Sequence, residues 1–184
     1  MKTPQDIPRK SKMYEVVSEH VDLLTQGIVL VIDPSIGSSS SAPGWACYAK
    51  GKLIAASTIH TGGSHLPLWQ RARNLGRLLK ELDHELSPNL LIYEDTPATS
   101  NFNANAQASL LKAVGIVLAC TDTESVIGIH PASWKNYVRP TYAKGDKEDA
   151  IEIGYVAITL AQHIESTRSS VPSGDVRAGR RYSR

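Results

Sequence analysis

Ile28-Val29-Leu30-Val31-Ile32-Asp33-Pro34 is the stretch on which the reading of the fold turns. A continuous run of β-branched and aliphatic residues reads as a strand buried on both faces. Pro34 has no backbone N–H to give to a ladder, so the strand is expected to stop where the acid appears. Asp33 then sits at the rim of a central strand, where sheets meet their ligands. A buried carboxylate is costly without a positive partner, and a metal ion is the usual one. The alternative is an aspartate that simply opens the following loop, since Asp is a favoured turn residue.

Working outward, the chain repeats this pattern once. Leu90–Tyr93 is a second short apolar run, and it ends in Glu94-Asp95 followed by Thr96-Pro97. Between the two lie a Gly/Ser-rich loop at Gly37–Ser41 and two apolar runs, Trp45–Ala49 and Leu53–Ile59. The runs flank Lys50-Gly51-Lys52, which is a hairpin signal, so the first three strands are expected to be antiparallel. Leu66–Leu86 carries Leu68, Ala72, Leu75, Leu78, Leu79, Leu82 and Leu86 on one stripe and is expected to be an amphipathic helix. Arg71, Arg73 and Arg77 fall on its other faces, as solvated charges or as contacts to phosphate.

Ser11–Leu24 has apolar residues at helical spacing and is expected to be one short helix behind a flexible arm. Ala106–Ala119 is apolar nearly all round, so it should be buried, against its own domain or a second copy of itself. Val126–Ile129 reads as a strand and Pro131–Tyr137 as a short helix with proline early. Lys147–Ile164 reads as the last long helix, with acids in its first turn. The order β-β-β-α-β-α-β-α predicts an α/β domain with a mixed sheet of five strands and helices on both faces.

The 184 residues are 41% hydrophobic, enough for one domain with a sizeable core. The formal net charge of +2 hides an uneven distribution. Lys2, Arg9, Lys10 and Lys12 crowd the front, and Arg168, Arg177, Arg180, Arg181 and Arg184 the back. Basic ends on a near-neutral body suit a polyanion partner, although solvated tails explain either end taken singly. Cys47 and Cys120 lie in apolar segments without zinc spacing and read as small hydrophobes in a reducing compartment. No stretch is long and apolar enough to span a membrane, and Met1–Lys12 has no apolar core for a secretory signal, so a cytoplasmic protein is expected.

If the strands carrying Asp33 and Glu94 are central, neighbouring and parallel, the two acids meet at one edge of the sheet. Clustered carboxylates repel, and a divalent metal relieves the repulsion. Hard oxygen ligands select Mg²⁺, or Mn²⁺, over zinc. Two such ions roughly 3.5–4 Å apart are a standard device for phosphodiester hydrolysis.

Several segments, in order, resemble RuvC-type Holliday junction resolvases. Ile32-Asp33-Pro34-Ser35 with Gly44-Trp45-Ala46 is similar to the family's first-strand motif, and Ile92-Tyr93-Glu94 to its second acidic strand. The run from Asn105 to Ile116 is similar to the helix that follows. Pro131-Ala132-Ser133-Trp134-Lys135 and Lys144-Gly145-Asp146-Lys147 resemble its two-lysine segment. The resemblance spans about residues 28–164. It implies a ribonuclease-H-like fold and Mg²⁺-dependent nicking of four-way DNA junctions by a homodimer with two ions per site, in a phage or viral member. The nuclease domain would occupy residues 27–165, between a basic arm with a short helix (1–26) and a basic C-terminal segment (166–184).

By the same resemblance Asp33 and Glu94 are the first two metal ligands, and Lys135 and Lys147 hold phosphates, Lys147 within the catalytic group. Lys144 joins them as a DNA contact. Asn103 and Phe102 follow Glu94 in a loop of the kind that meets DNA, where Phe102 either wedges at unpaired bases or packs beneath the loop. The chain departs from the family at its third acid. Where the family has Asp-x-x-Asp-Ala before a final apolar helix, this chain has Gly174-Asp175-Val176-Arg177-Ala178-Gly179-Arg180. Asp146-Lys147-Glu148-Asp149-Ala150-Ile151 has the acidic spacing, but at the helix where the family places its second lysine. Asp175 is favoured as third ligand and Asp146 with Asp149 is the alternative.

Two other readings keep some of these features. One is an RNA-processing nuclease of the same superfamily, and the other a branched-DNA-binding module whose site has decayed. An actin-like or sugar-kinase ATPase shares the strand-then-Asp start, but the chain is too short for its two domains.

Overall fold

A computed structural model of the chain describes residues 2–36, 42–63, 65–95, 104–138 and 145–170. Phe102, Asn103, Lys144 and Asp175 lie outside the described residues. The helices are α1 (Lys12–Glu19), α2 (Val21–Gln26), α3 (Leu68–Leu86), α4 (Ala104–Cys120), α5 (Pro131–Trp134) and α6 (Asp146–Ser169). The strands are β1 (Ile28–Asp33), β2 (Gly44–Ala49), β3 (Lys52–Thr58), β4 (Leu90–Glu94) and β5 (Val126–Ile129). They form one five-stranded sheet in the order β3-β2-β1-β4-β5. The β1–β2 and β2–β3 pairs are antiparallel, and the β1–β4 and β4–β5 pairs are parallel. The mixed sheet expected from the sequence is the one observed.

β1 occupies the middle of the sheet, and its side chains divide between two cores. Val29 and Val31 face α1, α2 and α6, together with Leu90 and Ile92 of β4. Leu30 and Ile32 face α3 and α4, together with Leu91. All of these are fully buried, which is why neither strand shows a polar alternation. Each such aliphatic side chain contributes about 1.5–3 kcal/mol by leaving water. The parallel pair is pinned at its start, where Asn89 Oδ1 accepts from the Ile28 amide at 2.8 Å. α3 ends at Ser87, in the left-handed region at φ 45°, just ahead of Pro88.

The structure departs from the sequence reading in four places. Ser11–Leu24 is two helices, because the chain turns at His20 (φ −123°, ψ 21°). The His20 amide closes α1 on the Val17 carbonyl, and its Nδ1 lies 2.9 Å from the Val16 carbonyl. The expected flexible arm is partly docked: Pro4 and Ile7 are buried, Ile7 in the α6-side core. α4 is not enclosed by its own domain. Ala113 and Val117 are buried against α3, while Leu111 and Leu118 are 55% and 44% exposed. Arg71 is not a purely solvated charge, because its Nη1 donates to the Ile36 carbonyl at 2.7 Å and ties α3 to the segment after β1. Among the described residues, no helix is long and apolar enough to cross a membrane.

Candidate metal centre

Asp33 and Glu94 end neighbouring parallel strands. The β1–β4 register pairs Val29 with Leu90 and runs through Ile32 with Tyr93, so the next step sets Asp33 beside Glu94. Side chains alternate along a strand. Asp33 therefore shares the face of Val29 and Val31, and Glu94 that of Leu90 and Ile92, which is the face covered by α6.

The first turn of α6 supplies two further acids, Asp146 and Asp149. Its approach depends on Gly44, which pairs with Asp33 across β1–β2. A Cβ on Gly44 would run into the Asp146 carbonyl and the Lys147 amide. Glycine at that position lets the helix end come down on the sheet rim, and the N-terminal dipole favours the acids carried there. From the other side, Lys135 reaches in from the turn after α5. Its Nζ lies 3.3 Å from Glu94 Oε1 and 3.5 Å from Asp149 Oδ2. The fully buried Trp134 donates its indole N–H to the same Glu94 oxygen at 3.1 Å.

Crowding shows in the protonation of these groups. Asp33 is 6% exposed. Burial, then the charges of Glu94, Asp146 and Asp149, push its pKa up to about 9, against a smaller opposing pull from Lys135. Burial likewise raises Glu94, with Lys135 working against the rise. Asp146 is raised chiefly by burial and eased by a hydrogen bond from Ser35. Burial alone would lower Lys135, but Glu94 and Asp149 outweigh it and hold the ammonium above its usual value. Acids forced upward by burial and by one another are what a divalent cation reverses.

The donors fit a hard metal ion. All are carboxylate oxygens, and Asp146 Oδ2 is buried with no hydrogen-bond partner among the described residues. Among the described residues, no three His, Cys, Asp or Glu side chains stand close enough to hold an ion between them.

The structure thus brings together Asp33, Glu94, Asp146, Asp149 and Lys135. Lys147 points elsewhere, with Nζ 3.1 Å from Glu148 Oε1. Two participants had no role in the sequence reading. Ser35 and Trp134 both stand inside the quoted motifs, but their partners, Asp146 and Glu94, are far away in sequence.

Solved structures share this fold. Thermus thermophilus RuvC in complex with a Holliday junction substrate superimposes with a TM-score of 0.57 at 16% identity, over 78% of this chain and 96% of that one. The yeast mitochondrial Holliday junction resolvase Ydc2 superimposes with a TM-score of 0.57 at 10% identity, over 90% of this chain and 96% of that one. The five-stranded mixed sheet flanked by helices is the ribonuclease-H-like architecture of these proteins. No protein-family model and no curated protein matches the chain.

Proposed function

We propose that this protein is a divalent-metal-dependent endonuclease that nicks four-way DNA junctions and works as a homodimer. The observation that carries the reading is the pairing of Asp33 with Glu94 on one face of the sheet, closed over by Asp146 and Asp149. It is supported by the shared fold of a RuvC whose structure holds a Holliday junction. Asp33 and Glu94 would hold Mg²⁺, or Mn²⁺, with Asp146 and Asp149 as further donors. Asp175 stays a sequence-based candidate beyond the described residues.

Bound ions supply a strongly nucleophilic water near neutral pH and stabilise charge on the leaving oxygen. The rest falls to the chain's own side chains. Lys135, and Lys147 after turning from Glu148, are compact point charges for the phosphate that is cut. Lys144, Phe102 and Asn103 stay sequence-based candidates for further DNA contacts, outside the described residues. One P–O bond forms to water and one breaks to the sugar oxygen.

Symmetric cutting of a junction requires two sites, hence two chains. α4 is the proposed interface, because Leu111 and Leu118 stand exposed on it. The test is incubation with a synthetic four-way junction in Mg²⁺, beside a linear duplex and an RNA of matching sequence. Selective nicking of the junction is expected. Cleavage of RNA alone, or no cleavage of branched DNA in Mg²⁺ or Mn²⁺, would overturn the proposal.

A further inference from the structure

Two acids of the site, Glu94 and Asp149, are bridged by a cation that the chain itself provides. Lys135 Nζ bridges Glu94 on β4 and Asp149 on α6, and also lies 5.0 Å from the centroid of the Trp134 ring. Among the described residues these are the only ion pairs that Glu94 and Asp149 make. A metal ion would draw on the same oxygens at roughly 2.0–2.6 Å, and an ammonium cannot keep its place beside it. The Lys135 side chain is 48% exposed. Its flexible four-carbon stem therefore has an open path outward.

We propose that the Lys135 ammonium is the resting occupant of the cation position between Glu94 and Asp149. It yields that position to a divalent ion and turns outward to meet the nucleic-acid phosphate. The inference rests on the metal-site reading above and adds to it an order of events: the phosphate-binding lysine is released only when metal enters. Nucleic acid arriving at the metal-free protein would find this lysine occupied.

Metal binding to the full chain without DNA tests this directly. The Trp134 indole ¹H–¹⁵N signal reports on Glu94 and can be assigned with Trp134→Phe. If Lys135 fills the position most of the time, the apparent Mg²⁺ affinity is reduced by the fraction of time the site is free. Lys135→Met should then bind Mg²⁺ roughly tenfold tighter or more. Lys80→Met, the same change of charge on an exposed lysine of α3, across the sheet from α6, should stay within about twofold. Equal shifts in the two variants, or no gain in Lys135→Met, would overturn the inference.

A measurement on the unaltered chain covers the case in which Lys135→Met fails to fold. The Lys135 ¹⁵Nζ signal, protected by its two carboxylate contacts, should disappear as Mg²⁺ saturates. Its persistence at saturation would overturn the inference. Neither readout involves cleavage, so an inactive protein that still shows the displacement refutes the nuclease reading alone. An active one that does not show it refutes only the placeholder role.

Discussion

Gly44 lies directly beneath the first turn of α6, so close that a Cβ on it would enter the Asp146 carbonyl. The position also pairs with Asp33. One residue therefore sets both the neighbour of the strand acid and the seat of the helix acids.

Gly44→Ala should for that reason act on stability and site together. Overpacking against backbone typically costs about 1–3 kcal/mol, and for a chain of this size each kcal/mol lowers Tm by about 2–4 °C. Thermal unfolding should show a fall of several degrees, with loss of metal-dependent cleavage. An unchanged Tm would mean that α6 does not rest on β2 in this way.

Asp33 makes the metal-free protein sensitive to pH. Its pKa rises from 3.8, that of an unperturbed aspartate, to about 9 in the fold, raised first by burial and then by Glu94, Asp146 and Asp149. Between these values the folded chain keeps a proton that the unfolded chain releases, so stability falls as pH rises through that window. Below about pH 4 both states are protonated and the penalty vanishes. Asp33→Asn removes the titrating group. Without metal, its Tm should exceed that of the unaltered chain at pH 8 and match it more closely at pH 5, as calorimetry at the two pH values would show.

Trp134→Phe preserves most of the buried ring but removes the donor to Glu94. Loss of a hydrogen bond to a charged group should cost about 1–3 kcal/mol. Among the described residues Glu94 then keeps its ion pair with Lys135. Single-turnover cleavage should slow by about tenfold, of order 1.4 kcal/mol, while junction binding in Ca²⁺ remains.

Leu111→Asp combined with Leu118→Asp tests the α4 interface. Both side chains are exposed in the single chain, so each change should move stability by no more than about 0.5 kcal/mol. Sedimentation should nonetheless report a monomer in place of a dimer. A variant that still sediments as a dimer places the interface elsewhere.

The sheet was legible because its central strands are buried on both faces. Such strands are written as unbroken runs, and in β1 and β4 each run stops at an acid. The Lys50–Gly51 turn and the leucine stripe of α3 were equally local signals. The break at His20 carries neither Gly nor Pro, so nothing in the pattern marked it. The half-exposure of α4 was hidden because an all-round apolar composition does not say which neighbours are present. The position of Asp146 and Asp149 over Asp33 depends on the contact of α6 with Gly44, a tertiary fact. Asp175, favoured as third ligand by its order along the chain, lies outside the described residues.

The central claim is that Asp33 and Glu94 act as one unit. It is tested most directly by single-turnover nicking of one synthetic four-way junction in Mg²⁺ by the unaltered chain, Asp33→Asn and Glu94→Gln, with junction affinity measured alongside in Ca²⁺. Both variants should bind the junction as the unaltered chain does and leave it uncut. Cleavage by either variant at the unaltered rate would contradict the account.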